Sequence, residues 1–206
     1  MRKSQSIKSL ETLGRVRLSK SFYMRDFLYS EISNFHEISN IPDYPDIEIE
    51  ACSNLCNELL ESLNATFGRI SIFSGYRSPP ANQFGNDNKL NCASNESNYA
   101  AHIFDYKDAN EHRGATVSVV IPWFADQYDK GSDWRSLAWW IHDNLPHCGL
   151  CFFPSLAAFN INWHEANKEK TIRSYINPKG CLTRAGMENY EGDHSDWYGR
   201  FLELKI

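Results

Sequence analysis

Apolar residues recur at three- and four-residue spacing through Ile49, Cys52, Leu55, Cys56, Leu59, Leu63 and Phe67. That period puts them on one face of an amphipathic helix over 46–66, closed by Gly68. Ile70-Ser71-Ile72-Phe73 then reads as a short buried strand. Upstream, Ser19 or Ser21 can cap a helix over Phe22–Glu31, with Phe22, Phe27 and Leu28 as its apolar side. The prolines of Asn40–Pro45 mark a loop, because proline disfavours helix at the residue before it.

Further along, Tyr99–Tyr106 and Ala115–Ile121 read as two strands, joined through the polar run Lys107–Arg113 as a hairpin with a long tip. Asp133 or Ser132 caps a helix that runs through Leu145 and stops at Pro146. Gly149–Phe153 and Ala157–Trp163 form a second strand pair turning at Pro154-Ser155, and Thr171–Ile176 adds an edge strand. Residues 74–98 are rich in Gly, Pro, Ser and Asn and predict a long loop with room for one helical turn. Loops of that length are usually functional or disordered. The order of elements predicts an α+β domain, a small antiparallel sheet with helices packed on it.

The chain has 206 residues, enough for one domain with a sizeable core. Residues 1–18 read as a basic flexible tail, 19–170 as the domain, and 171–206 as a C-terminal extension packed on it. The net charge of −5 argues against a dedicated nucleic-acid partner, which normally meets a basic face. No apolar run is long enough to span a membrane, and Ser4–Leu10 is too polar for the core of an export signal. The six cysteines then read as reduced thiols of a chain made in the cytoplasm.

Several groups can carry chemistry. Ser74-Gly75-Tyr76-Arg77-Ser78-Pro79 follows a strand, and an arginine projected from such a turn can grip a carboxylate with two parallel hydrogen bonds. His102 lies in an apolar stretch with Asp105 and Asp108 after it, and a histidine and a carboxylate can share a metal. In Asn162-Trp163-His164-Glu165, His164 is another candidate ligand and Glu165 a candidate base for activating water. Cys148 and Cys151 have the spacing of half a zinc site, yet there is no second pair, so they read as packing. Trp134, Trp139 and Trp140 suggest a helix buried on more than one side, and Gly192–Asp196 suggests a polar turn. There is no phosphate-cradling glycine loop and no serine-hydrolase elbow.

Taken in order, these features resemble the zinc D-alanyl-D-alanine carboxypeptidases and related phage endolysins over about residues 18–170. The most specific piece is Ser-Gly-Tyr-Arg-Ser-Pro with Ala81 and Asn82 following. The resemblance implies a hydrolase that cleaves peptidoglycan stem peptides beside D-alanine by a zinc-activated water. Ser74, Tyr76 and Arg77 would then contact substrate, with Arg77 near the reacting carbonyl. Zinc would be held by His102, Asp108 and His164, with Asp105 as the alternative to Asp108 and Glu165 as the proton-transfer group.

Two positions depart from the family's pattern. Ala109 stands seven residues after His102, where the family has its acid, and Ile161 stands three before His164, where it has its base. An alternative alignment sets Gly114–Ser118 on the family's glycine-to-aspartate stretch and puts Ser118 in the acid's place. A catalytically inactive relative that binds cell-wall peptide or another protein is therefore the second reading. Release at lysis or carriage in a virion would fit either.

Overall fold

The computed structural model describes residues 1–166 and 168–203, the last four by backbone alone. Its helices are α1 (Ile7–Gly14), α2 (Glu31–Phe35), α3 (Pro45–Leu55), α4 (Glu61–Phe67), α5 (Pro79–Asp87), α6 (Asn95–Asn98), α7 (Pro122–Asp129), α8 (Trp134–Asn144) and α9 (Ser195–Glu203). Its strands are β1 (Ser71–Ser74), β2 (Gly114–Val120), β3 (Gly149–Phe152), β4 (Phe159–His164), β5 (Thr171–Ser174) and β6 (Gly180–Arg184). They form one six-stranded sheet in the order β1-β2-β4-β3-β5-β6. The fold is α+β, as the pattern predicts, but the sheet is mixed. β3 and β5 run parallel, with Leu150 opposite Ile172, while the other neighbouring pairs are antiparallel.

Strand alternation sorts the two faces of the sheet. Val117, Val119, Leu150, Phe152, Phe159, Ile161 and Ile172 are buried on one of them. α3 and α4 cover that face, continuous through a π-helical turn at Cys56–Leu60, together with α8. Phe67 meets Trp140 at 4.7 Å and Trp134 meets Phe152 at 5.1 Å between ring centres. The adjacent tryptophans of α8 serve two sides, because Trp139 stacks on His194 at 3.9 Å. His194 is fixed in turn by the Asp143 carboxylate, 2.7 Å from its Nδ1. The opposite face carries Thr116, Ser118, Cys151, Asn160, Asn162 and Arg173, none of them in the apolar core cluster.

Besides the 74–98 stretch, which folds into α5 and α6 in place of a loop, four expectations change. Residues 1–18 are not a loose tail: Ser6 caps α1, and Leu13 and Leu18 are buried in the core. Phe22–Glu31 is not one helix but a 3-10 turn at Met24–Phe27 followed by the short α2. The stretch 171–206 supplies β5 and β6 to the sheet itself, and β6, with no clear apolar period, takes the edge expected of β5. Residues 204–206 of that stretch lie outside the described residues.

The fourth change bears on function. Tyr99–Tyr106 is a set of turns, not a hairpin strand. The Asn98 carbonyl accepts from both Ala101 N and Ile103 N, and Ala100 sits at φ 54°. These turns continue the sheet edge beyond β1, because Thr116 N donates to the Ala101 carbonyl at 2.8 Å and Arg77 N to the His102 carbonyl at 2.9 Å. Gly114 makes this approach possible, since a Cβ there would lie 2.2 Å from the Ala100 oxygen and 3.0 Å from the His164 ring. Gly114→Ala is therefore expected to cost about 1–3 kcal/mol, as overpacking does. Chemical denaturation measures it, and an unchanged midpoint would mean the turn gives way freely.

No helix among the described residues is long and apolar enough to cross a membrane. The six cysteines are free thiols.

Candidate ligand cleft

A cleft of about 430 Å³ opens where the ends of β1, β2 and β4 meet the 99–106 turns. Ser74, Ser118 and Asn160 face it side by side, because Ser74 pairs with Ser118 and Ser118 with Asn160 across the strands. Ser118 Oγ donates to Asn160 Oδ1 at 2.5 Å. Arg77 and His102 line the same space, with Asn98 behind them and Phe153 at one side. Glu31 is its one acid and is exposed.

The turn that carries Arg77 is braced from several directions. Ser78 caps α5 through Ala81 N, and the Asn40 amide bonds Ser78 N, the Tyr76 carbonyl and the Leu28 carbonyl. Arg77 is half-buried. Its Nη1 lies 2.6 Å from Cys92 Sγ and 3.4 Å from Asn82 Oδ1. Asn82 is itself fixed to Asn95, to Asn98 and to the Ala93 carbonyl. Arg77 Nε is buried with no partner, and the guanidinium has no carboxylate partner among the described residues.

His102 is buried, and its Nδ1 has no partner. Burial and then the Arg77 charge push its pKa down to about 3, against a hydrogen bond with the Gly75 backbone that pushes it up. The imidazole is therefore neutral at ordinary pH. The cleft thus combines one strong cation and one exposed carboxylate, Glu31, with neutral hydroxyl, amide and imidazole groups.

The other expected site residues lie elsewhere. His164 is opposite Gly114, four residues along β2 from Ser118, or about 13 Å at the rise of a strand. Its Nε2 is 3.1 Å from Asp108 Oδ2. Asp108 is held below the usual carboxylate range by His112 N, Asn110 N and His164, against its own burial, and Lys168 lies 3.8 Å away. His164 and Asp108 therefore pair with each other and do not join His102. Asp105, fully buried, accepts from Asp43 N at 2.7 Å and from Tyr44 N at 3.3 Å, which turns it away from His102 as well.

Glu165 is not placed to move a proton in the cleft. It forms a two-point ion pair with Arg113, which draws its pKa down to about 2. Tyr76 is wholly buried against Phe104, so it cannot touch a ligand. Ser74, Arg77 and His102 line one cleft, together with Ser118, the residue that the alternative alignment sets in the acid's place. Asn160 is a cleft residue that no sequence motif picks out. Its signal is the alternation Phe159-Asn160-Ile161-Asn162-Trp163, which places both asparagines on the polar face.

A zinc ion is a poor match to these donors. Catalytic zinc normally takes three His, Cys or acidic ligands. The cleft offers one imidazole and one exposed carboxylate, Glu31, and its other polar side chains apart from Arg77 are hydroxyls and amides. Among the described residues no group of three or more His, Cys, Asp or Glu side chains is arranged to hold a metal ion.

Comparison with protein families, with curated proteins and with solved structures found no match.

Proposed function

We propose that this chain is a peptidase-like binding module that holds the carboxylate end of a peptide of cell-wall type, without hydrolysing it. The observation that carries this reading is Arg77, a braced arginine without an ion-pair partner among the described residues, facing a cleft whose one carboxylate, Glu31, is exposed and not paired with it. A guanidinium so placed favours a carboxylate, which it can grip through two hydrogen bonds. Ser74, Ser118 and Asn160 supply donors and acceptors for the peptide's own amides, and neutral His102 adds no competing charge. The D-alanine preference rests on the resemblance of Ser74–Pro79 alone.

Isothermal titration with acetyl-D-Ala-D-Ala and its C-terminal amide tests the reading. The acid is expected to bind and the amide to bind at least tenfold more weakly. Arg77→Met is expected to remove that difference, because a charged hydrogen-bonded contact is worth about 1.5–3 kcal/mol. Equal binding of acid and amide would overturn the proposal. So would cleavage of the peptide by zinc-supplemented protein that is lost in His102→Ala, which would restore the hydrolase reading.

A further inference from the structure

The cleft does not end at Asn160. The same residue also lines a second, shallower groove of about 270 Å³ on the open face of the sheet, bounded by Thr116, Cys151, Asn162, Thr171 and Arg173. The strand register explains the continuity. Ser74 pairs with Ser118, Ser118 with Asn160, Asn160 with Cys151, and Cys151 with Arg173. Directly paired residues share a face, so these five side chains form one row running across the strands.

Charge is distributed along this row in an unusual way. Arg77 stands beyond one end and Arg173 at the other, and the positions between them are neutral. Arg173 is exposed on its strand and has no ion-pair partner among the described residues. None of the residues bounding the second groove is acidic. Beside the row, Phe153 lines the cleft and stacks on Tyr175 at 5.6 Å, an apolar wall next to the neutral stretch.

We propose that the cleft and this groove form one binding track, and that Arg173 receives a second carboxylate of an extended peptide whose C-terminus sits at Arg77. This rests on the reading of the Arg77 cleft given above and adds the class of ligand. The ligand is a dianionic peptide lying across the strands, not along an edge as an added strand. The four interstrand steps from Ser74 to Arg173 span about 19 Å at the usual strand spacing. An extended chain covers that distance in about five to six residues.

The test uses the full chain and three synthetic probes in isothermal titration. They are acetyl-D-Ala-D-Ala, acetyl-Glu-Ala-Ala-Ala-D-Ala-D-Ala, and the latter with Gln in place of Glu. The Glu peptide is expected to bind about two- to fivefold more tightly than the Gln peptide, the worth of an ion pair at an exposed site. Arg173→Met is expected to abolish that gap and leave acetyl-D-Ala-D-Ala binding unchanged, with an unaltered near-UV spectrum showing that the fold is kept. Equal binding of the Glu and Gln peptides, with the short probe still bound, would overturn the track and leave the cleft reading standing. A gap that survives in Arg173→Met would place the second carboxylate elsewhere and also overturn it. If no probe binds, the cleft reading fails, and the track falls with it.

Discussion

Replacing Leu13 by alanine is expected to destabilise the protein by about 2–5 kcal/mol, the usual cost of emptying a buried leucine site. For a chain of this size that lowers Tm by on the order of 10 °C. The physical basis is that Leu13 is wholly buried on α1 and belongs to the same apolar cluster as Met24, Phe27 and Leu59. The segment is also tied down by its backbone. Met24 N donates to the Val16 carbonyl at 2.8 Å and Leu18 N to the Phe22 carbonyl at 3.0 Å. Glu61 then takes hydrogen bonds from Ser19 Oγ, Ser21 N and Ser21 Oγ. Thermal denaturation followed by circular dichroism measures the effect. A change within about 0.5 kcal/mol, typical of an unconstrained surface site, would return residues 1–18 to the status of a tail.

Glu48→Gln is expected to gain stability relative to the parent as pH rises. Glu48 is fully buried on α3 and neither carboxyl oxygen has a partner. Burial, and then the negative charge of Asp105, raise its pKa well above the ordinary 4.5. The sign follows from linkage. Below about pH 4.5 the acid is protonated in both the folded and the unfolded chain, and its contribution to stability is fully present. As pH rises, the unfolded chain ionises first and is favoured, so stability is lost until the folded pKa is passed. Each unit by which the folded pKa exceeds the unfolded one removes about 1.4 kcal/mol. Asp105 shifts the same way, chiefly through burial, but it is present in both proteins. The difference between parent and variant therefore isolates Glu48 and its coupling to Asp105. Urea denaturation from pH 4 to pH 8 is the measurement. A difference that stays constant over that range would mean that Glu48 is solvated or paired in solution.

Elements with a strong period are legible in the sequence. The 46–66 pattern becomes α3 and α4 because its seven apolar positions all face one core, and β3 and the first part of β4 alternate between a buried and a more open side, whereas β2 is buried along almost its whole length. The 99–106 stretch has an equally apolar sequence but not the backbone of a strand. An apolar run predicts burial, and burial is reached here by a folded-over turn that satisfies its own amides through Asn98. Residues 1–18 mislead for the opposite reason. Their polar composition hides a few apolar contacts that only the distant 3-10 turn at Met24–Phe27 completes.

The site is legible in part. Arg77 is marked by its turn, and His102 by its setting among apolar residues. On β4 the Trp163-His164 pair is chemically conspicuous but lies four residues from the cleft. Register decides which residue of a strand faces a site, and pairing with β2 across 42 residues of sequence separation at Ser118 and Asn160 is not written in either segment alone.

The position of β4 between β2 and β3, although β3 precedes it in the chain, has a practical consequence. No short contiguous fragment contains the whole binding surface, because parts of the cleft come from segments near residues 77, 102, 118 and 160. Occupancy and global folding are then coupled as a single equilibrium. A ligand at a hundred times its Kd would stabilise the entire native state by about 2.7 kcal/mol. Melting-temperature screening of small peptide collections would therefore report binding directly, whatever the natural ligand is and whether or not any chemistry follows.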